Sequence, residues 1–417
     1  MLLFVILKKV CVSVDIMKEN IGEITAVQGF KAAGVMCGIK KNNKKDLAMI
    51  YSTVPSVAAG VFTTNKVFSP SVQLCRENIL SPVARAIVAN SGNANACVGN
   101  QGYLDAKKIV QLTAEKLEIV PEEVLIASTG VIGEPLPMDK IETGIPNLVN
   151  ALNENGSKDA AEGILTTDTF TKSVDVEIYV SGTKVRLTGI AKGSGMIHPD
   201  MATMLAFITT DAAIEKKILQ ELLKESTDKS FNMITVDGDT STNDTVIILA
   251  NSLAKNKIIR GKSTSSKIFL EALDFVTSKL ARMIVKDGEG ATKLIEVHVK
   301  GARAFHDAKA IALAISRSNL VKTAFFGEDA NWGRIIAAAG TAGVSYDPDK
   351  MDMFFGEEHV LKNGLYCGNE REKAIETVIK GQEIVLTLNL NSGNEQARMF
   401  TCDLSPEYIK INAEYRS

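Results

Sequence analysis

The sequence predicts a layered α/β protein whose mixed or antiparallel sheets are flanked by helices. Three observations lead there. Short apolar runs of strand character and longer runs of helical periodicity both recur between about residues 47 and 390. They alternate irregularly, without the regular strand, helix, strand order of a doubly wound parallel sheet. Hairpin-type turns such as Ser181-Gly182 also interrupt the runs. A Rossmann unit is therefore not expected.

In chain order, compact apolar runs place strands at 47–51, 86–89 and 124–127, with a helix at 104–117 where apolar residues return at helical spacing. Residues 174–180 alternate Val174, Val176, Ile178 and Val180 with Asp175, Glu177 and Tyr179, the period-two pattern of a strand, and 185–190 continues it beyond the turn. A continuous apolar run predicts a strand at 204–209, followed by a helix at 214–224 and a strand at 246–250. Helical periodicity is strong at 265–285, where Ile268, Leu270, Leu273, Phe275, Val276, Leu280, Met283 and Ile284 form a broad apolar face. A strand at 295–299, a helix at 307–316 and a strand at 384–390 complete the expected set. Nothing repeats at a fixed period, and no low-complexity linker divides the chain.

Composition narrows the function classes. The 417 residues are 45% hydrophobic and 23% charged, ordinary for a globular protein and enough for two or three core-forming units. Lys plus Arg (47) nearly balances Asp plus Glu (49), with no sustained basic run interleaved with aromatics, so nucleic acid is not an expected partner. The six cysteines show no Cys-x-x-Cys pair and are few for this length, which points to reduced thiols and a cytoplasmic setting; Cys37 and Cys97 read as small buried hydrophobes. The four histidines lack metal-ligand spacing, so no metal is expected. Met1 to Leu7 is apolar, but it is far shorter than the ~20 residues of a spanning helix and lacks the flanks of a signal peptide. No membrane association is expected.

The chemistry concentrates in Ala191-Lys192-Gly193-Ser194-Gly195-Met196-Ile197-His198-Pro199-Asp200-Met201-Ala202-Thr203-Met204-Leu205, which puts a threonine after a small residue at the end of a glycine-rich turn. If the Thr203 hydroxyl attacks the Ala202 carbonyl, the peptide becomes an ester that water can cleave. The new terminus then carries a hydroxyl nucleophile and an α-amine of pKa ~7.7 to 8.0 on one residue. Spacing alone equally suits, and even favours, a plain buried strand preceded by a loop. His198 is not needed as a base if the terminal amine serves. The Gly-Ser-Gly lacks the pattern of a nucleotide-phosphate loop.

The stretch resembles the self-cleavage signature of the glutamate N-acetyltransferase, or ornithine acetyltransferase, family of arginine biosynthesis. Similar blocks follow along the chain: Gly29 to Gly34, Asn90 to Cys97, Ser128 to Gly133, Val236 to Thr245, Lys286 to Gly290, Phe326 to Arg334 and Ile411 to Ser417. Two positions depart from the usual pattern, Ala330 where proline is frequent and Phe207 where glycine is often seen; neither removes a chemical group.

The resemblance implies an N-terminal-nucleophile-like sandwich cut between Ala202 and Thr203 into chains 17–202 and 203–417, which interlock rather than forming separate domains and assemble as an α2β2 heterotetramer. Residues 1–16 would be an upstream extension before a start at Met17, or alternatively an edge strand. The implied activity is ping-pong transfer of acetyl from N2-acetyl-L-ornithine to L-glutamate through an acetyl-Thr203 intermediate, with no bound cofactor and with acetyl-CoA as a further donor in some members. Thr129 and Gly130 are implied as the oxyanion hole. Thr166, Lys192, Thr203, Glu289, Asn412 and Ser417 are the implied substrate-binding positions. Two alternatives stay open on the residues alone: a self-processing amidohydrolase or aminopeptidase that resolves the acyl-enzyme with water, and an uncut α/β scaffold in which Thr203 only packs.

Overall fold

The computed structural model describes residues 17–20, 22–199, 204–368, 370 and 372–414. Ala202, Thr203 and Ser417, and the expected extension at 1–16, lie outside them. Strands and helices alternate in two sheets, so the layered α/β reading holds.

The first sheet contains β1 (Lys18–Asn20), β2 (Phe30–Val35), β3 (Leu47–Phe62), β4 (Ala84–Asn93), β5 (Val124–Val131), β6 (Lys172–Val180), β7 (Thr183–Lys192), β8 (Leu205–Thr210) and β9 (Thr245–Ala250). Its order is β1-β6-β7-β8-β9-β3-β4-β5, with β2 paired to β3. The pairs β4/β5 and β8/β9 are parallel and the other pairs antiparallel, which excludes a doubly wound sheet. β3 runs on well beyond the expected 47–51: its first part pairs with β4 through Tyr51, the register shifts before Ser56, and Val57 to Phe62 pair with β9. Pro55, which cannot donate to a ladder, sits in that shifted segment.

The second sheet holds β10 (Leu294–Ala302), β11 (Asp352–Phe355), β12 (Glu358–Lys362), β13 (Leu365–Tyr366), β14 (Glu383–Asn389) and β15 (Glu395–Cys402), in the order β13-β12-β11-β14-β10-β15. The helices are α1 (Pro70–Asn78), α2 (Gly99–Leu117), α3 (Met138–Asn150), α4 (Ser157–Gly163), α5 (Lys216–Lys229), α6 (Thr264–Lys286), α7 (Phe305–Ser316), α8 (Asn319–Phe326), α9 (Trp332–Gly340), α10 (Glu372–Ile379) and α11 (Pro406–Glu414). Local chemistry starts several of them. Ser263 caps α6 in a reciprocal box with Ser266, and Ser69 caps α1 ahead of Pro70 at the first helical position.

The central strands are buried on both faces. Along β7, β8 and β9, Ile190, Leu205, Phe207, Ile247 and Leu249 pack into a core with α1 to α4, while Ala191, Ala206, Ile208, Val246 and Ile248 face a second core with α5 and α6. Apolar residues on both faces explain why 204–210 reads as an unbroken apolar run instead of alternating. Phe207, the departure from the family pattern, is a fully buried member of the first core. A third core fills the second sheet and its helices.

The cysteines partly depart from expectation. Cys97 is exposed, in a loop at φ +59°, and Cys37 is only partly buried. The polar, strained turn between β4 and α2 turns Cys97 outward, which a single-residue hydrophobicity reading misses. No helix among the described residues is long and apolar enough to cross a membrane.

Candidate functional site

The ends of β5 and β7, the loop before β9 and α11 meet at a cleft. Thr129 and Gly130, Thr166, Lys192, Glu289 and Asn412 all line it. These six positions are spread over nearly three hundred residues of sequence, and only the fold brings them together.

Lys192 is the last residue of β7 and only 1% exposed. Its ammonium lies 3.4 Å from Thr129 Oγ1 and 4.0 Å from Asp168 Oδ2. Burial lowers its pKa, the Asp168 charge offsets that, and the Lys172 charge lowers it further. Thr129 and Gly130 lie just before Val131 at the end of β5, where Gly130 is directly opposite Gly92 of β4 at φ +135°. A Cβ there would lie 2.3 Å from the Gly92 carbonyl carbon, so only glycine fits. Asn243 secures this corner by donating from Nδ2 to the carbonyls of Ala94 (2.6 Å) and Ser128 (2.9 Å).

Behind Lys192 is a second fully buried lysine. Lys172 Nζ donates to Asp168 Oδ1 at 2.7 Å and to Asp287 Oδ2 at 2.5 Å, with the side chains of Lys172 and Asp168 0% exposed. Asp168 also accepts from the amides of Gly193 (2.7 Å) and Thr166 (3.0 Å). Burial works to raise the Asp168 carboxyl, but Lys192 and Lys172 outweigh it and hold it below the usual carboxylate range. Asp287 accepts from the Thr169 amide and hydroxyl.

The opposite wall is acidic. Glu289 donates its amide to Ser194 O at 2.9 Å and accepts from Asn412 Nδ2 at 2.8 Å. It approaches Gly195 so closely that a Cβ there would meet its carboxyl carbon at 2.5 Å. Asp237 accepts from the Met196 (2.6 Å) and Ile197 (2.9 Å) amides and from Tyr408 OH (3.3 Å); burial raises its carboxyl to about 6. Met196, at φ +57°, is held in the left-handed region by this contact.

Asp244 immediately precedes β9 and reaches across to the residue before β8. Its Oδ1 accepts the Met204 amide at 2.8 Å, while Oδ2 is buried with no hydrogen-bond partner among the described residues. Burial pushes this carboxyl well up. His198 sits to the side, with Nδ1 3.3 Å from Thr235 Oγ1.

Sequence reasoning did not single out Asp168, Lys172, Asp237, Asn243, Asp244 or Asp287. All but Asp168 and Lys172 lie inside blocks that carry the family resemblance, and that was the available signal; Asp168 stands two residues after Thr166, an implied substrate-binding position. Lys172 had none, because a lone lysine at the head of a strand reads as surface.

A profile of the ArgJ family matches residues 31–417. The "Arginine biosynthesis bifunctional protein ArgJ" of Symbiobacterium thermophilum is 50% identical over 398 residues, covering 95% of this chain and 99% of its own. The Dehalococcoides mccartyi protein of the same name is 49% identical over 405 residues, covering 97% and 99%. Among solved structures, the chain is similar to the arginine biosynthesis bifunctional protein argJ of Bacillus halodurans at 40% identity, with a TM-score of 0.42 over 45% of this chain and 98% of that one. It is also similar to the ornithine acetyltransferase complexed with ornithine from Mycobacterium tuberculosis, at 35% identity and a TM-score of 0.41 over 44% and 98%. With a family profile and half-identical relatives running almost end to end, the chain belongs to the ArgJ family.

Proposed function

We infer that the chain is an acyltransferase of arginine biosynthesis that carries acetyl from N2-acetyl-L-ornithine to L-glutamate, giving L-ornithine and N-acetyl-L-glutamate. Family membership and near-full-length identity to proteins named for arginine biosynthesis support the activity. One observation carries the site: Thr129, Gly130, Thr166, Lys192, Glu289 and Asn412 line a single cleft.

In this reading the chain first cuts itself. Thr203 Oγ bonds to the Ala202 carbonyl carbon, the Ala202–Thr203 C–N bond breaks as the nitrogen takes a proton, and water hydrolyses the resulting ester. Leu205, two residues beyond Thr203 in sequence, pairs with Lys192 across β7 and β8, which supports a new terminus working at the Lys192 end of the cleft. The α-amine then removes the Thr203 hydroxyl proton while Oγ attacks the acetyl carbonyl. The oxyanion is stabilised by the Gly130 amide and the Thr129 hydroxyl, which act because they are already oriented. Ornithine leaves with its α-amine protonated, glutamate enters, and its α-amine takes the acetyl group from Thr203.

Charge sorts the two ends of the substrate. The Lys192 ammonium holds the α-carboxylate common to both amino acids. Glu289 faces the ornithine ammonium, and Thr166, Asn412 and Ser417 complete the binding set. Acetyl-CoA is the proposed second donor, its thioester carbonyl attacked by the same hydroxyl, with no resident cofactor. The halves 17–202 and 203–417 share one sheet: β7 pairs with β8, and β3 with β9. That interleaving supports fragments that stay together, here as an α2β2 heterotetramer. The unpaired cysteines suit a cytoplasmic setting.

Intact mass under denaturing conditions tests the reading. Wild-type protein should give two fragments divided before Thr203, the C-terminal one gaining a single acetyl group from N2-acetylornithine; Thr203→Ala should give one uncut, inactive chain. An uncut wild-type chain that takes up no acetyl would favour the scaffold alternative. Acetyl uptake that water resolves without glutamate would favour the hydrolase.

A further inference from the structure

The two fully buried lysines are not equivalent. Lys172 is saturated: Asp168 Oδ1 at 2.7 Å, Asp287 Oδ2 at 2.5 Å and the Phe170 carbonyl at 3.4 Å take its three donors. Among the described residues, Lys192 has the long contact to Thr129 Oγ1 at 3.4 Å and Asp168 Oδ2 at 4.0 Å and no other, and it opens on the cleft. A buried ammonium with spare donors is costly unless an anion completes its shell. One carboxylate, Asp168, touches both lysines.

The same knot ties three walls of the cleft. Asp168 accepts from Thr166 and from Gly193, the residue after Lys192, and Asp287 accepts from Thr169. Thr167 and Ser194 share a hydroxyl contact at 2.6 Å, and Ser194 O accepts from Glu289 N, two residues beyond Asp287. Moving any one carboxylate therefore moves the segments that carry Thr166, Lys192 and Glu289 together.

We propose that Asp168, Lys172 and Asp287 form a buried positioning unit that keeps Lys192 charged and fixed in the cleft, so that Asp168 sets how tightly the α-carboxylate of the acetylated substrate is held. This rests on the functional reading above. Asp168 and Glu289 face Lys192 with carboxylates, Asp244 with a carboxyl whose pKa burial pushes well up, and Lys172 and Lys40 with positive charge. Loss of Asp168 leaves two like charges in a dry site and makes Lys192 easier to deprotonate; loss of Lys172 does the reverse.

The test is the pH dependence of kcat/KM for N-acetyl-L-glutamate as donor, with L-ornithine as acceptor, in the processed full-length enzyme. This donor carries no amine, so its alkaline limb reports the enzyme, and kcat/KM for a ping-pong donor contains only the first half-reaction. Asp168→Asn should move the limb to lower pH and raise KM roughly 10- to 100-fold, with a smaller change in kcat. Lys172→Gln should move the limb to higher pH. Lys192→Arg, whose cation does not titrate, should remove it. A limb that persists unchanged in Lys192→Arg overturns the proposal, as does an unchanged limb and KM in an Asp168→Asn enzyme that melts like wild type. If Asp168→Asn does not fold, Lys172→Gln decides: an unshifted or lowered limb overturns the proposal. Wild-type enzyme that transfers no acetyl would refute the functional reading instead.

Discussion

Replacing Gly130 with alanine should damage stability and catalysis together. The residue sits at φ +135°, and a Cβ would meet three backbone atoms: Gly92 C at 2.3 Å, Asn93 N at 2.4 Å and Gly92 Cα at 2.7 Å. Backbone atoms cannot rotate aside, so β4 and β5 must part by about 1 Å to restore ordinary contact. Conformational strain of ~1–3 kcal/mol and overpacking of ~1–3 kcal/mol together give a loss of about 2–6 kcal/mol. Gly133→Ala is the control, because that residue is also at positive φ (+85°) but has no heavy atom within 4 Å of a Cβ, leaving the strain alone. Parting the strands also displaces the Gly130 amide, the proposed oxyanion donor, and loss of one such donor should lower kcat roughly 10²- to 10³-fold. Thermal melting beside acetyl-transfer kinetics reads both effects. A Gly130→Ala enzyme that melts no lower than Gly133→Ala, or that keeps wild-type kcat, would refute the reasoning.

Two further outcomes follow from the cleft. Burial raises the Asp237 carboxyl from 3.8 to about 6, so the folded state holds a proton that the unfolded chain has released. The stability this contributes is complete below the unfolded value and is lost as pH rises through about 6; the difference in melting temperature between wild type and Asp237→Asn should fall across that window, and a flat difference would contradict it. Ending the chain after Leu404 removes α11, which buries no residue of its own but supplies Tyr408 to Asp237 and Asn412 to Glu289. The melting temperature should change little while KM for N2-acetylornithine rises roughly tenfold, the equivalent of ~1.4 kcal/mol of binding; an unchanged KM would remove the tail from the site.

The elements legible in the sequence are those whose burial is continuous. All nine expected strands and four expected helices are present, with ends shifted by a few residues except in β3, which runs on to Phe62, because runs such as 246–250 are buried at every position. The missed strands include β15, which exposes three of its eight residues, and β12, which begins with Glu358 and His359. The missed α3 contains Gly144 and Pro146, which weaken any helical reading, and α4 has only seven residues. Packing against the sheets holds these helices where propensity alone would not.

Read as a sequence, the chain determined its α/β class, the polar turn before Thr203 and, through resemblance, six residues that line the cleft. Those features are local or lie in compact blocks, so pattern and spacing reveal them. Which charges are buried was decided only by the tertiary structure. Lys172 and Asp287 stand 115 residues apart, and the burial of each depends on strands and helices from distant parts of the chain. Desolvation is a property of the assembled surroundings rather than of residue type, and an ordinary lysine becomes one end of a buried ion pair only when the sheet closes over it.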